Sequence, residues 1–542
     1  MARMPSSVGA SHNFAQVPKA EIPRSSFDRS NSHKTSFDAG YLIPVFHDEV
    51  IPGDTCNLNM TGFCRLSTPL RPFMDNVFLN SFFFFVPMRL LWTNAYKFFG
   101  GQDNPGDSTS FTIPQIVAPA GGYTEQSLYD YFELPTKVAG FTHSALYLRA
   151  YNLIWNEWFR DQNLQTSLPK NMGDGPDPVS HYWLQFRGKR HDYFTGSLPW
   201  PQKGPGVTIP LGSTAPIKGL RIGSNSTAAT NPAVSLIGVS SIYDQAAGPP
   251  PGWIANSGTQ SLYVEAQSAA IPSAANRPQI FADLSAATAS TVNQLRQAFQ
   301  LQKLQERDAR GGTRYTEIVQ AHFNVTSPDA RLQRPEYLGG GQGMVNVHQV
   351  AQTSATVAGQ TPQASLAAYG TSTVTGHGFS KSFTEHGIII GLISVRADIN
   401  YQQGLNRRWS RSTKYDYYWP ALSMIGEQAV LNQEIYCQGT AGGTADAAVF
   451  GYNERYAEYR YKPSVVTGKL RSNSATPLDT WHLAQNFASL PALNASFIVD
   501  NPPIARVVAV PSEPNFIGDF WFATRWARPM PVYGVPGLID HF

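Results

Sequence analysis

Between residues 41 and 86 three strand patterns follow one another with no room for a helix, and this succession limits the fold more than any other feature of the chain. Residues 42–50 are largely apolar. After the turn residues Pro52, Gly53 and Asp54, the side chains of Cys56, Leu58, Met60, Cys64 and Leu66 share one parity, against Asn57, Asn59, Thr61 and Arg65. Successive strand side chains point to opposite faces, so the alternation sends both cysteines into a core. Residues 77–86 are almost continuously apolar. Strands this close in sequence pair antiparallel. The run from Phe82 to Phe85 abandons alternation, so both faces of that strand must be covered.

Later segments extend the pattern with insertions. Residues 144–161 place Leu148, Tyr151, Trp155, Trp158 and Phe159 at helical spacing, and a second helix begins near Val292 and stops at Gly311 and Gly312. Strand alternation returns at 388–400. The chain therefore reads as mainly β: an antiparallel two-sheet jelly-roll β-sandwich with long loop insertions and a few helices. Six segments are expected. An N-terminal basic arm occupies 1–37, and the first part of the jelly roll 38–200. A Gly, Ser, Ala, Thr and Pro-rich insertion at 201–290 is read as a surface projection, since long loops persist where they have a job. A helix and connecting segment fill 291–341, a low-complexity loop 342–375, and the second part of the jelly roll with a C-terminal arm 376–542.

Charge and motif content remove several function classes. The formal net charge is +3, too small for a protein that coats nucleic acid over its whole surface, so any such contact must be local. The three cysteines form no CxxC pair, and no two histidines stand closer than nine residues apart, so no metal site is expected. The GGGQG run at 339–343 lacks the Lys-Ser or Lys-Thr of a phosphate-binding loop, and GxSxG, HExxH and EF-hand patterns are absent. No cofactor and no catalytic residue is expected. The longest apolar run is broken by Pro87 and Arg89 and is too short to span a bilayer, which predicts no membrane insertion and synthesis in the cytoplasm.

Two regions are candidates for contact. Between 452 and 462 tyrosines alternate with charges: Tyr452, Glu454, Arg455, Tyr456, Glu458, Tyr459, Arg460 and Tyr461 suit a sheet surface pressed against another polar surface. On a strand Glu454 and Glu458 would stand about 13 Å apart, outside the carboxylate spacing of either glycosidase mechanism. Phe14 and Phe27 could anchor the N-terminal arm on a neighbouring subunit. Arg407, Arg408, Trp409, Arg411 and Lys414 mix cations with flat rings, as single-strand binding requires. Arg187, Lys189 and Arg190 form a smaller basic group. Both groups equally suit a subunit-facing patch. A β-sandwich glycan-binding protein or hydrolase is the alternative from another class.

Several stretches add a resemblance. FGYNERYAEYRYKPSVVTGKLR (450–471), RPMPVYGVPGLIDHF (528–542), KTSFDAGYLIPVF, FFFFVPMRL and DTWHLAQNF resemble the major capsid proteins of the Microviridae, in the gokushovirus branch. The resemblance implies a viral jelly roll that assembles into an icosahedral shell around circular single-stranded DNA. It also implies a small basic DNA-packaging protein as partner, and a host surface receptor met by the 201–290 projection. The location it implies is the virion.

Overall fold

A computed structural model describes residues 23–208, 292–325, 333–356 and 362–533, with the backbone of four short strands between 217 and 282. The chain divides into two units, Met1–Pro201 with Ala309–Phe542, and Gln202–Asp308.

In the first unit the strands that matter here are β1 Ser25–Asp28, β2 Asn31–Phe37, β3 Ile43–Val50, β4 Thr55–Leu66, β5 Val77–Pro87, β6 Glu336–Ala351, β7 Leu366–Ser382, β8 Gly387–Ala397, β9 Glu427–Leu431, β10 Val449–Glu454 and β11 Phe516–Arg528. Nine of them make one antiparallel sheet in the order β1-β11-β4-β7-β6-β5-β8-β3, with β2 also pairing to β11. β6 turns the corner: its residues 336–345 pair with β5, and 346–351 pair with β7. The sheet curls, and its two halves enclose a jelly-roll sandwich core.

Alternating burial along β4 and β11 fills that core from one face of each strand. Cross-strand rows combine large and small side chains: Phe516 with Leu66 and Gly370, Gly518 with Cys64 and Ser372, Phe520 with Gly62 and Val374. Interiors pack at crystal-like density, so each ring needs a small neighbour in its row. Cys56 and Cys64 are buried as the parity predicts, and burial pushes both thiols up to about 12.

The phenylalanine run divides between two cores. Phe83 and Phe85 enter the sandwich, while Phe84, with Phe82 packed beside it, joins Ile388, Ile390 and Leu392 in a second core on the outer face. Helix α1, Leu146–Ile154, covers that face and continues as a π turn, Trp155–Phe159. Its Arg149 is held by Asp177 in a buried ion pair of 2.7 Å. The outer helix explains why alternation fails at 82–85.

Two expectations are corrected. Residues 342–375 are not a loop over their length, because they contain the end of β6 and the start of β7. Small residues are what this region requires. A Cβ on Gly339 would lie 2.4 Å from the Gly378 carbonyl oxygen, and one on Gly343 would lie 2.1 Å from Val374. The N-terminal arm is likewise not free along 1–37, since β1 and β2 are edge strands on β11 and bring half-buried Phe27 opposite Trp526 of the same chain. Phe14 lies outside the described residues, as does most of 201–290.

Candidate functional site

β9 and β10 pair antiparallel, with Ala429 opposite Tyr452, and Phe450 and Val430 rest with Tyr193, Phe194, Tyr401 and Phe497 on a third apolar core. β10 ends at Glu454. Tyr456 then adopts a left-handed backbone, φ 64°, and is buried, and a 3-10 turn spans Ala457–Tyr459. The segment 452–461 is thus not one continuous sheet surface. Tyr452 is half-buried, whereas Tyr459, Arg460 and Tyr461 face solvent.

The end of β10 and the left-handed turn at Tyr456 create a seat for residues 406–419, which contain short 3-10 turns, Arg407–Trp409 and Lys414–Asp416. Arg411 reaches Glu458 at 3.4 Å and lies 4.5 Å over the Tyr459 ring. Arg455 donates to the Tyr415 carbonyl at 3.4 Å, Tyr418 N–H donates to the Tyr459 hydroxyl at 3.4 Å, and the Tyr418 and Tyr456 rings stand 5.2 Å apart. Asp416 accepts from Thr413 and Ser412, and these hydrogen bonds pull its carboxyl down to about 2. Two motifs forty residues apart in sequence form one face.

The charges on this face are sorted. Glu454 pairs with Arg310 at 2.9 Å and with Arg460, and Glu427 pairs with Arg310 as well. Glu458 takes Arg411 and the Gln428 amide. Buried Glu434 takes Arg407 at 3.1 Å and the Tyr193 hydroxyl at 2.7 Å; burial raises its pKa and Arg407 opposes that shift. Arg407 and Arg411 are therefore committed internally. Arg408 and Lys414 have no carboxylate partner among the described residues, and instead lie over the exposed rings of Trp409 and Tyr415 at 5.2 and 5.1 Å. A cavity of about 440 Å³ opens beside Trp409, with Arg408, Tyr461, Lys462 and Arg471 on its walls.

Glu454 and Glu458 act as ion-pair acceptors. The strand spacing invoked for them does not apply, because they flank the turn rather than share a strand. Among the described residues no group of three or more His, Cys, Asp or Glu is placed to hold a metal, and no helix is long and apolar enough to cross a membrane.

Arg187, Lys189 and Arg190 are not an open patch. Lys189 is 9% exposed and sits 4.4 Å over the Phe497 ring, Arg187 lies 4.7 Å over Phe82 and donates to Asn80, and Arg190 pairs with Asp398 at 3.0 Å. They line a cavity together with Arg160, Arg314 and Arg396. No spacing in the sequence brings those three to 187–190: Arg160 comes from the end of the π turn, Arg314 from the start of the helix Tyr315–Phe323 and Arg396 from β8.

A family model described as capsid protein (F protein) matches residues 15–538. The chain is similar to the capsid protein VP1 of Bdellovibrio phage phiMH2K, 48% identical with 98% of each chain covered. It is also similar to the capsid protein VP1 of Chlamydia phage 1, 47% identical over 97% of this chain and 98% of that one. The capsid protein VP1 of Spiroplasma virus 4 is 36% identical, with 97% of each chain covered.

Proposed function

The chain belongs to the phage capsid protein (F protein) family, in its gokushovirus-like Microviridae branch, and as a structural subunit of the virion shell we propose that it encloses circular single-stranded DNA and contacts the strand through Arg408, Trp409 and Lys414. The observation that carries this reading is the sorting of charge. Every carboxylate of the face that meets an arginine is neutralised within the chain, while two cations remain in solvent over aromatic rings. Phosphates exchange their counterions for such cations, and bases stack on such rings in a sequence-tolerant way. Trp419, Met424 and Ile425, exposed at the rim, suit contact with a second subunit in a large obligate interface of roughly 2,000 Å² or more.

The small net charge leaves most genome phosphates to other cations, which supports a small basic packaging protein as a partner. Assembly is assigned to the host cytoplasm. The 201–290 projection is assigned to the host receptor, so replacing it by a short linker should leave particles that no longer attach to cells. Loss of the particles themselves would refute that assignment. The ion pairs at Glu454 and Glu458 weigh against that pair serving a glycan hydrolase as acid and base.

The DNA contact is tested by a salt titration of single-stranded oligonucleotide binding. Arg408→Gln and Lys414→Gln should each lower the slope of log K against log salt by about 0.7, the value for one phosphate contact on a single strand. Unchanged slopes in folded variants would remove the DNA assignment.

A further inference from the structure

We infer that the cavity beside the π turn Trp155–Phe159 is a binding site for a nucleoside phosphate. Its volume is about 590 Å³, within the range of small-ligand pockets. It shares no lining residue with the cavity beside Arg408, so it is independent of that strand contact.

One wall is aromatic. Trp158 stands 5.5 Å from Phe84 and 6.0 Å from Tyr337, and Phe82 stands 5.3 Å from Phe159, measured between ring centroids. Trp158 and Tyr337 are each more than a third exposed; Arg334 lies 4.9 Å over the Trp158 ring, which leaves the Tyr337 ring and the uncovered part of Trp158 for a base to stack on. The other wall is cationic: Arg160, Arg187, Lys189, Arg190, Arg314 and Arg396, with Asp161 as the one carboxylate in the lining.

Internal partners neutralise only part of this charge. Arg190 takes Asp398, and Arg314 takes Glu157 and Glu317. Arg396 donates no hydrogen bond among the described residues, and the buried Nε atoms of Arg160, Arg190 and Arg396 have no partner. Behind the wall Asp500, only 4% exposed, is shared by Arg187, Lys189, Arg190 and Arg396, with Asp192 also acting on Lys189 and Asp398 on Arg396. Like charges gathered away from water repel and lose hydration. A phosphate supplies both the missing charge and acceptors for guanidinium donors, which bind it with charge-assisted geometry. The neighbouring rings select a phosphate that carries a base over inorganic phosphate.

The phosphate could belong to a free nucleotide or to one residue of the genome strand, and the test separates the two. The full-length protein is titrated with 5′-deoxyadenosine monophosphate while tryptophan emission is followed, with Trp158→Phe identifying the responding ring. Binding should quench Trp158, deoxyadenosine without phosphate should bind at least about tenfold more weakly, and Arg396→Gln should raise Kd about tenfold. Arg408→Gln should leave Kd unchanged. Tyr337→Ala, at an exposed position, should also weaken binding, and it carries the test if Arg396→Gln fails to fold. Displacement of the nucleotide by a thymidine oligonucleotide in the Arg408→Gln background would identify the genome strand as the source; no displacement would identify free nucleotide. Absence of any binding at millimolar nucleotide and oligonucleotide, or binding indifferent to both Arg396→Gln and Tyr337→Ala, overturns the inference.

Discussion

The row Phe520, Gly62 and Val374 offers a quantitative test of how the sandwich core is specified. Phe520 is fully buried, and a Cβ added to Gly62 on the adjacent strand would stand 2.7 Å from its ring and 2.9 Å from a Val374 methyl. Phe520→Ala removes a whole ring from a sealed site and should cost about 3–5 kcal/mol. Gly62→Ala should cost about 1–3 kcal/mol by overpacking, less the roughly 0.5–1 kcal/mol that alanine gains over glycine in a strand. In the double variant the new methyl occupies space the ring has vacated. Its cost should therefore fall short of the sum by about 1–2 kcal/mol, well beyond the 0.3–0.5 kcal/mol scatter of independent sites. The assay is equilibrium urea unfolding of unassembled subunit by circular dichroism, at one protein concentration because assembly stabilises by mass action. Additive costs would mean that glycine at 62 is not there to admit the ring.

Thiol labelling tests burial in the same sheet: iodoacetamide at pH 8 should modify Cys437 alone in the native chain, since Cys437 is exposed while burial pushes Cys56 and Cys64 to about 12, and all three in urea. Peptide mass spectrometry that finds Cys64 modified in native protein would contradict the assigned parity. Asp500 should make stability fall with rising pH. Burial raises its carboxyl from 3.8 to about 7 against the opposing pull of Arg396 and Lys189, so its contribution is fully present below about pH 4 and is lost as pH rises through 7. The span is on the order of 4 kcal/mol from the linkage of three pKa units. Asp500→Asn should flatten the unfolding profile between pH 4 and 7, and an unchanged slope there would show that the surrounding cations hold Asp500 ionised in the folded chain.

Much of the sandwich was legible because its signal is local. β4 announces itself by parity, and the break in parity at Phe82–Phe85 correctly implied a second covering layer, which proved to be α1; β8 lies within the expected 388–400 stretch but is buried on both faces, Ser394 included. β6 and β7 were missed for the opposite reason. Strand recognition leans on bulky β-branched and aromatic residues, yet here the strands approach so closely that Gly339, Gly341, Gly343 and Gly378 leave no room for a Cβ. A composition that looks like a loop was the condition for tight pairing. The edge strands at 25–37 were hidden differently: their partner, β11, lies near the other end of the chain, and polar side chains such as Asn31, Lys34 and Ser36 are what an exposed edge tolerates.

The contact face shows where period alone fails. Alternation of tyrosine and charge from 452 to 461 predicts one strand, and it holds only to Glu454. Beyond that point the structure is decided by partners from 406–419: the buried Tyr456 ring, Arg411 between Glu458 and Tyr459, and the Tyr415 carbonyl that receives Arg455. The same tertiary pairing reassigns the cations. Arg407 and Arg411 look equivalent to Arg408 and Lys414 in sequence, yet the first two are spent on buried or half-buried carboxylates, and only the second two can meet a phosphate at modest cost. A chain with 41 basic and 38 acidic residues can therefore still present positive charge locally, because Glu427, Glu434, Glu454 and Glu458 of this face are each paired with an arginine of the same chain. Its capacity to bind a polyanion depends on which few cations remain unpaired, and not on the net charge of +3.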